Sequence, residues 1–232
     1  MEAFRYGGRS MRVVCKYPTR GRPQAFLKRL REWASMSANP ARIAFLVSYD
    51  EDDATMTPEI IAQAEQIHPA VVCARGNSTS KIHACNRDLP GYGADYDVVL
   101  LISDDMFCRR HGWDELIRQR MLHYFPDTDG ALWFFDGSQR KINTLECVGR
   151  KRYAGFGYLY HPSYSSFFCD NESSAVGLRD KKLIFLPESI CTHEHPSWGG
   201  GMKPDATYAR NNRFWRADES NFARRQAAGF PA

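Results

Sequence analysis

The apolar residues of this chain come in short runs set between polar turns and stretches of helical period. The densest run is Val98-Val99-Leu100-Leu101-Ile102. Its β-branched residues and lack of polar alternation predict a strand over 97–102, buried on both faces. Similar runs predict strands over 11–17, 43–48 and 70–74. Between them Phe26, Leu27, Leu30 and Trp33 recur at helical spacing in 24–35, and Pro58 opens a second helical stretch over 58–67. Further helices are predicted over 81–88 and 113–123. Strands alternating with helices imply an α/β fold: a mostly parallel sheet, right-handed crossovers and helices on both faces. After residue 123 the pattern changes to strands over 131–135 and 183–186, aromatic loops between them, and a terminal helix near 217–227. No internal repeat or long linker is visible.

Composition narrows the picture. A length of 232 residues suits one domain, or one domain with a lid, rather than two independent units. Aromatic residues make up 13% of the chain and crowd into 133–168, where rings build cores and also line pockets for flat ligands. The net charge of +4 permits a polyanionic partner without requiring one. Seven scattered cysteines with no C-x-x-C pair point to a reducing compartment, the cytoplasm, rather than to a disulfide framework. We expect no signal peptide, and no apolar run approaches the ~20 residues of a membrane helix. Residues 1–10, Gly-rich and basic, are expected to be poorly ordered or a non-native leader.

Candidate chemistry collects at the predicted strand ends, where open α/β sheets bind ligands. Asp104 and Asp105 follow Ser103 at the tip of the most apolar strand. Such a pair must be solvated, paired or holding a cation, and its hard oxygens suit Mg2+ or Mn2+. Pro18-Thr19-Arg20-Gly21-Arg22-Pro23 follows the first strand; its arginines suit a phosphate or base edge, or form an exposed basic turn. Asp50-Glu51-Asp52-Asp53 follows the second; one acid can accept from a nucleobase or ribose while the rest are solvated. Residues 76–86 bring hydroxyls and Lys81 to a helix start, which suits an anion or a plain capped helix, without the Walker spacing. Asp170-Asn171-Glu172 follows an aromatic stretch; carboxylates beside rings gain proton affinity and serve as general bases, with a helix cap as the competing reading. His193 and His195, two apart in an extended segment, point the same way and reach toward a metal. Trp198-Gly199-Gly200-Gly201 then offers a flexible stretch able to close over substrate.

In this order the motifs resemble a GT-A-fold glycosyltransferase of the family 2 type over roughly residues 12–195. The resemblance implies metal-dependent, inverting transfer of a sugar from a nucleoside diphosphate sugar, a UDP-sugar by family habit, to an acceptor hydroxyl. It implies that Pro18, Thr19, Arg20 and Arg22 lie near the nucleotide, that Asp50 or Asp52 contacts the base, and that Lys81 and Asn86 border the nucleotide and diphosphate. Ser103 stands where the first acid of a D-x-D motif is often found, so Asp104 and Asp105 both remain candidates for Mn2+ or Mg2+, with Asp105 preferred. His193 or His195 resembles a late metal-ligating histidine, and Asp170 resembles the base, with Glu172 as its rival. The nucleotide then belongs to 11–112, and the acceptor and metal to 113–232.

Lysines and arginines within 140–152 and 210–225 extend the resemblance to compact bacteriophage enzymes that glycosylate hydroxymethylated pyrimidines in DNA. A bacterial glycan or lipid-linked saccharide is the alternative acceptor. Two other classes stay open: a Mg2+-dependent nuclease, which needs metal alone to cleave DNA, and an inactive nucleotide-binding module.

Overall fold

The computed structural model of the chain describes residues 11–196, 203 and 205–231. Strands form where apolar residues run without interruption: β1 (Val13–Pro18), β2 (Ile43–Asp50), β3 (Val71–Gly76) and β4 (Val98–Leu101). The joining helices are α1 (Pro23–Ser35), α2 (Pro58–Ile67) and α3 (Lys81–Asn86). Pro23 and Pro58 each stand in a first turn, where a missing N–H leaves no bond unmade. β1 lies between β2 and β4 in parallel register, with Val13 opposite Ile43 on one side and Val98 on the other.

The chain continues through β5 (Met106–Cys108), α4 (Trp113–Tyr124), β6 (Ala131–Phe134), β7 (Cys147–Gly149), α5 (Arg150–Phe156) and α6 (Cys169–Arg179). It closes with β8 (Leu183–Leu186), β9 (Cys191–His193), α7 (Ala206–Asn212) and α8 (Trp215–Ala227). The large sheet runs β3-β2-β1-β4-β7-β6-β8. Only β7 is antiparallel to its neighbours, so the sheet is mostly parallel as the alternation implied. β5 and β9 form a separate antiparallel ribbon.

Strand parity sorts the core into two layers. Val13, Cys15 and Tyr17 share one layer with Phe26, Trp33, Trp113 and Ile117 of α1 and α4. Val14, Val99 and Leu101 share the other with Ile82, Tyr153 and Tyr164. Two buried tryptophans brace the segment after β4. Trp33 Nε1 donates to the Met106 carbonyl at 3.0 Å, Trp113 Nε1 donates to the Trp33 carbonyl at 2.9 Å, and the rings meet edge-on at 5.1 Å. At Gly149 a Cβ would lie 2.2 Å from the Thr128 carbonyl oxygen, so the β7–α5 junction admits only glycine.

Some elements depart from expectation. Region 135–183, expected as aromatic loops, contains β7, α5 and α6. The helix expected over 81–88 stops at Asn86, and Asp88 takes a left-handed conformation (φ 71°). The N-terminal segment 1–10 and the Trp198-Gly199-Gly200-Gly201 stretch lie outside the described residues. All seven cysteines are free and all but Cys73 are buried. Among the described residues no helix is long and apolar enough to cross a membrane.

Candidate functional site

β4 ends at Leu101, and Ser103-Asp104-Asp105 turns the chain into β5, with the Met106 N–H donating to the Ser103 carbonyl at 3.1 Å. The two aspartates have different surroundings. Asp105 accepts from Ser103 Oγ and, at 2.8 Å, from the Tyr208 hydroxyl, and its Oδ1 lies 3.6 Å from His193 Nε2. Burial alone would raise its proton affinity, but His193, Ser103 and Tyr208 outweigh burial and hold it well below the usual carboxylate range. Asp104 accepts from Tyr17 at 2.9 Å and from Thr19 Oγ1 at 3.2 Å. Burial nevertheless pushes its pKa up to about 7, against the pull of Arg22.

His193 reaches Asp105 through the ribbon. Met106 and His193 are paired across β5 and β9, and the Glu194 N–H donates to the Asp105 carbonyl at 2.8 Å. His195 packs edge-on against Tyr208 at 4.9 Å, and burial lowers its pKa to about 4, leaving a neutral imidazole able to ligate. Two carboxylates beside two imidazoles make an oxygen–nitrogen donor set suited to Mn2+ or Mg2+. The donor types therefore fit a divalent ion. Among the described residues, no three His, Cys, Asp or Glu side chains already converge on one point.

The turn after β1 is tied to the loop after β2. Thr19 N–H donates to the Ser48 carbonyl at 3.0 Å, and Gly21 N–H to Asp53 at 2.7 Å. Arg20 grips Asp52 through both terminal nitrogens, at 2.5 and 2.7 Å, and reaches Asp50 at 2.8 Å. Arg22 makes a bidentate pair with Asp205 at 2.6 and 2.9 Å and lies 4.3 Å over the Tyr208 ring. Gly76 lets Arg87 cross above it to the Tyr49 carbonyl at 2.7 Å; a Cβ there would sit 2.5 Å from the guanidinium. Asp50 Oδ1 is buried without a hydrogen-bond partner, and the Arg87 guanidinium lies 3.8 Å from it.

These groups surround one cavity of about 180 Å³ at the carboxyl ends of β1, β2 and β4. Of the residues singled out from sequence, Pro18, Thr19, Arg20, Arg22, Asp50, Lys81, Ser103, Asp104, Asp105, Asp170, His193 and His195 line it. Asp170 stands in the first turn of α6, where desolvation raises its proton affinity against the pull of Lys81. Three expected residues lie elsewhere. Asp52 is exposed and occupied by Arg20, so Asp50 is the acid that lines the cavity. Asn86 is a clamp, donating to the Tyr160 carbonyl at 2.6 Å and accepting from Leu159 and Tyr160 N–H at 3.0 and 3.1 Å. Glu172 is buried against Arg225, at 2.7 and 2.8 Å, and the Tyr164 hydroxyl, at 2.7 Å, away from the cavity.

The sequence reading missed Tyr17, Tyr208, Asp205 and Asp218. Asp218 accepts from the N–H groups of Ser165, Ser166 and Phe167 at 2.9, 2.7 and 2.8 Å and so fixes the loop leading to Asp170. Inward strand parity with Val13 and Cys15 marks Tyr17 as buried, and a buried hydroxyl seeks a partner. Nothing local marks Tyr208 or Asp218, which meet their partners only through the fold.

The mostly parallel seven-stranded sheet flanked by helices has the GT-A fold of glycosyltransferases. Solved structures share it. The mannosyltransferase PcManGT from Pyrobaculum calidifontis, in complex with GDP-Man and Mn2+, superposes with a TM-score of 0.65 and 15% identity over 82% of this chain and 59% of its own. S. aureus TarS 1–349 with UDP-GlcNAc gives 0.61 and 10% over 88% and 65%, and S. aureus TarS gives 0.61 and 10% over 78% and 36%. The chain thus spans less than two thirds of each of these proteins. No family profile and no curated protein sequence matches it. At such identities the likeness is one of fold.

Proposed function

We propose that the protein transfers a sugar from a nucleoside diphosphate sugar to an acceptor hydroxyl, inverting the anomeric configuration. One observation carries this reading: a single cavity holds Asp50, whose buried Oδ1 makes no hydrogen bond, the Asp104–Asp105 pair with two imidazoles, and the desolvated Asp170. Asp50 Oδ1 accepts from a nucleobase N–H, as uracil N3–H or guanine N1–H offers, and the family resemblance favours a UDP-sugar. Thr19, Arg20 and Arg22 border the nucleotide, and Lys81 faces the diphosphate. A divalent cation such as Mn2+, held by Asp105 with Asp104 and His193 or His195, would supply neutralisation of the diphosphate charge.

The chain's own groups do the rest. Asp170 takes the proton of the acceptor hydroxyl as its oxygen forms a bond to the anomeric carbon. The bond from that carbon to the diphosphate oxygen breaks with its electrons on the departing nucleoside diphosphate. Attack from the face opposite the leaving group inverts the centre, and no covalent enzyme intermediate is needed. Asp104 and Tyr17 hold the floor of the site, and Ser103 and Tyr208 keep Asp105 ionised and aligned. Of the acceptors the resemblance names, arginines around the acceptor side favour a hydroxymethylated pyrimidine in DNA over a glycan or lipid-linked saccharide.

Thermal shift with UDP, GDP and UDP-sugars, each with and without Mn2+, tests the proposal. A ligand at about a hundred times its Kd adds roughly 2.7 kcal/mol, or about 5 °C or more for a chain this long. The expected result is a Mn2+-dependent rise with UDP that Asp105→Asn removes. A rise unchanged in Asp105→Asn, or none with any nucleotide, overturns the assignment. Cleavage of DNA by protein and metal alone would identify a nuclease instead.

A further inference from the structure

Beside Asp170 the cavity is lined by rings and by Arg210. Phe167, from the loop before α6, and Phe214, between α7 and α8, line the cavity. Next to them Trp215 keeps 48% of its surface exposed, although its ring packs at 4.9 Å from Phe167 and 5.0 Å from Phe168. Two half-buried rings thus support an indole at the surface. Arg210, Arg213 and Arg216 follow one another at three-residue spacing through the α7–α8 bend. Arg210 lines the cavity, Arg213 lies 4.6 Å over the Phe214 ring, and none of the three joins an ion pair among the described residues. Asp205 is engaged by Arg22, Asp218 by the backbone of 165–167, and Asp52, which feels Arg210, by Arg20, while Glu219 is exposed on α8.

Rigid aromatic faces interleaved with uncompensated arginines bind strands that alternate stackable rings and phosphates. A polyol phosphate lacks the rings, and a neutral glycan lacks the charge. The cavity bears on the form of the strand. Asp170 lines this concave site, and a base still stacked and paired within a duplex cannot enter it. Any hydroxyl brought to Asp170 on a base must therefore arrive on a base that has left the helix.

Given the transferase reading above, on which this rests, we propose that Trp215 with Arg210, Arg213 and Arg216 forms a binding platform for single-stranded nucleic acid. An unpaired base stacks on Trp215, its phosphates meet the arginines, and the neighbouring displaced base carries the acceptor hydroxyl to Asp170.

Fluorescence anisotropy with a fluorescein-labelled pyrimidine-rich 20-mer, single-stranded and as the duplex, tests this over a salt series. The single strand is expected to bind at least about ten-fold tighter than the duplex, the loss of stacking and pairing falling on the duplex. Arg213→Gln and Arg216→Gln should each reduce the slope of log K against log salt by about 0.7. Trp215→Ala should weaken binding roughly ten-fold or more at every salt concentration, while Trp215→Phe retains most of it. Circular dichroism of each variant separates a lost platform from a lost fold, and the arginine slopes decide the matter if Trp215→Ala does not fold. Equal or tighter duplex binding, unchanged slopes in both arginine variants, or equal competition by a ring-poor polyanion such as heparin overturns the platform. If UDP with Mn2+ raises the melting point but the 20-mer does not bind, the platform falls and the transferase reading stands. If neither binds, both fall.

Discussion

Glu146 illustrates how single residues carry both stability and legibility. It is 4% exposed, and its carboxylate accepts from Asn143 at 3.3 Å and Ser173 at 3.1 Å. Burial pushes its pKa from 4.5 up to about 7. The folded state therefore holds the proton more tightly than the unfolded chain. The resulting stability is fully present below about pH 4.5 and is lost as pH climbs through 7, a change of about 3 kcal/mol. In Glu146→Gln the side chain cannot ionise, so relative to the parent the variant should gain about 3 kcal/mol between pH 5 and pH 8 in urea titrations. Parallel pH dependence in the two proteins would refute the assignment. The same comparison shows what residue type reveals. Asp50 and Asp105 were legible because acids at a buried strand's tip have no place in a core. Asn86 and Glu172 were not, because an amide or carboxylate looks alike in sequence whether it faces a ligand or a backbone clamp.

At the scale of elements, the long apolar runs and helical periods of β1 to β4, α1, α2 and α4 were readable because each pattern is local. β5, β7 and β9 have three residues each, too few for a period to declare itself. Their stability comes from pairing across the chain, as Met106 with His193 and Leu100 with Cys147, and sequence pattern does not encode such partners. The loop before α6 is likewise set from afar, by Asp218 in α8. Asp218→Ala would leave three N–H groups without their acceptor, and hydrogen bonds to a charged group contribute roughly 1.5–3 kcal/mol each. With water replacing some of that loss, the expected fall in stability is about 2–4 kcal/mol, read from the urea midpoint. Turnover should fall as well, since the loop delivers Phe167 and Asp170. An unchanged midpoint would show that the loop holds itself.

The whole molecule keeps its thiols inside. Cys73 alone among the seven cysteines is partly accessible, and desolvation raises its pKa to about 12, so little of it is thiolate at neutral pH. Iodoacetamide should modify at most one site in the native protein and seven after denaturation, counted by intact mass. Two or more adducts on the native protein, or fewer than seven on the unfolded one, would contradict the packing. The cysteine pattern was readable as reduced and structural because nothing in its spacing suggested a framework. The two-layer core that hides these thiols was implied by the same alternation that gave the sheet.

The late insertion of β7 has its own consequence. β4 carries the aspartates at its tip, and its second edge is covered only when Cys147–Gly149 arrives, 46 residues after Leu101. During synthesis at about 5–20 residues per second, that edge stands open for roughly 2–9 s. The nascent protein thus displays its acidic tip on a bare ladder of amides before the later walls of the cavity are made, and in that interval it is most in need of a chaperone.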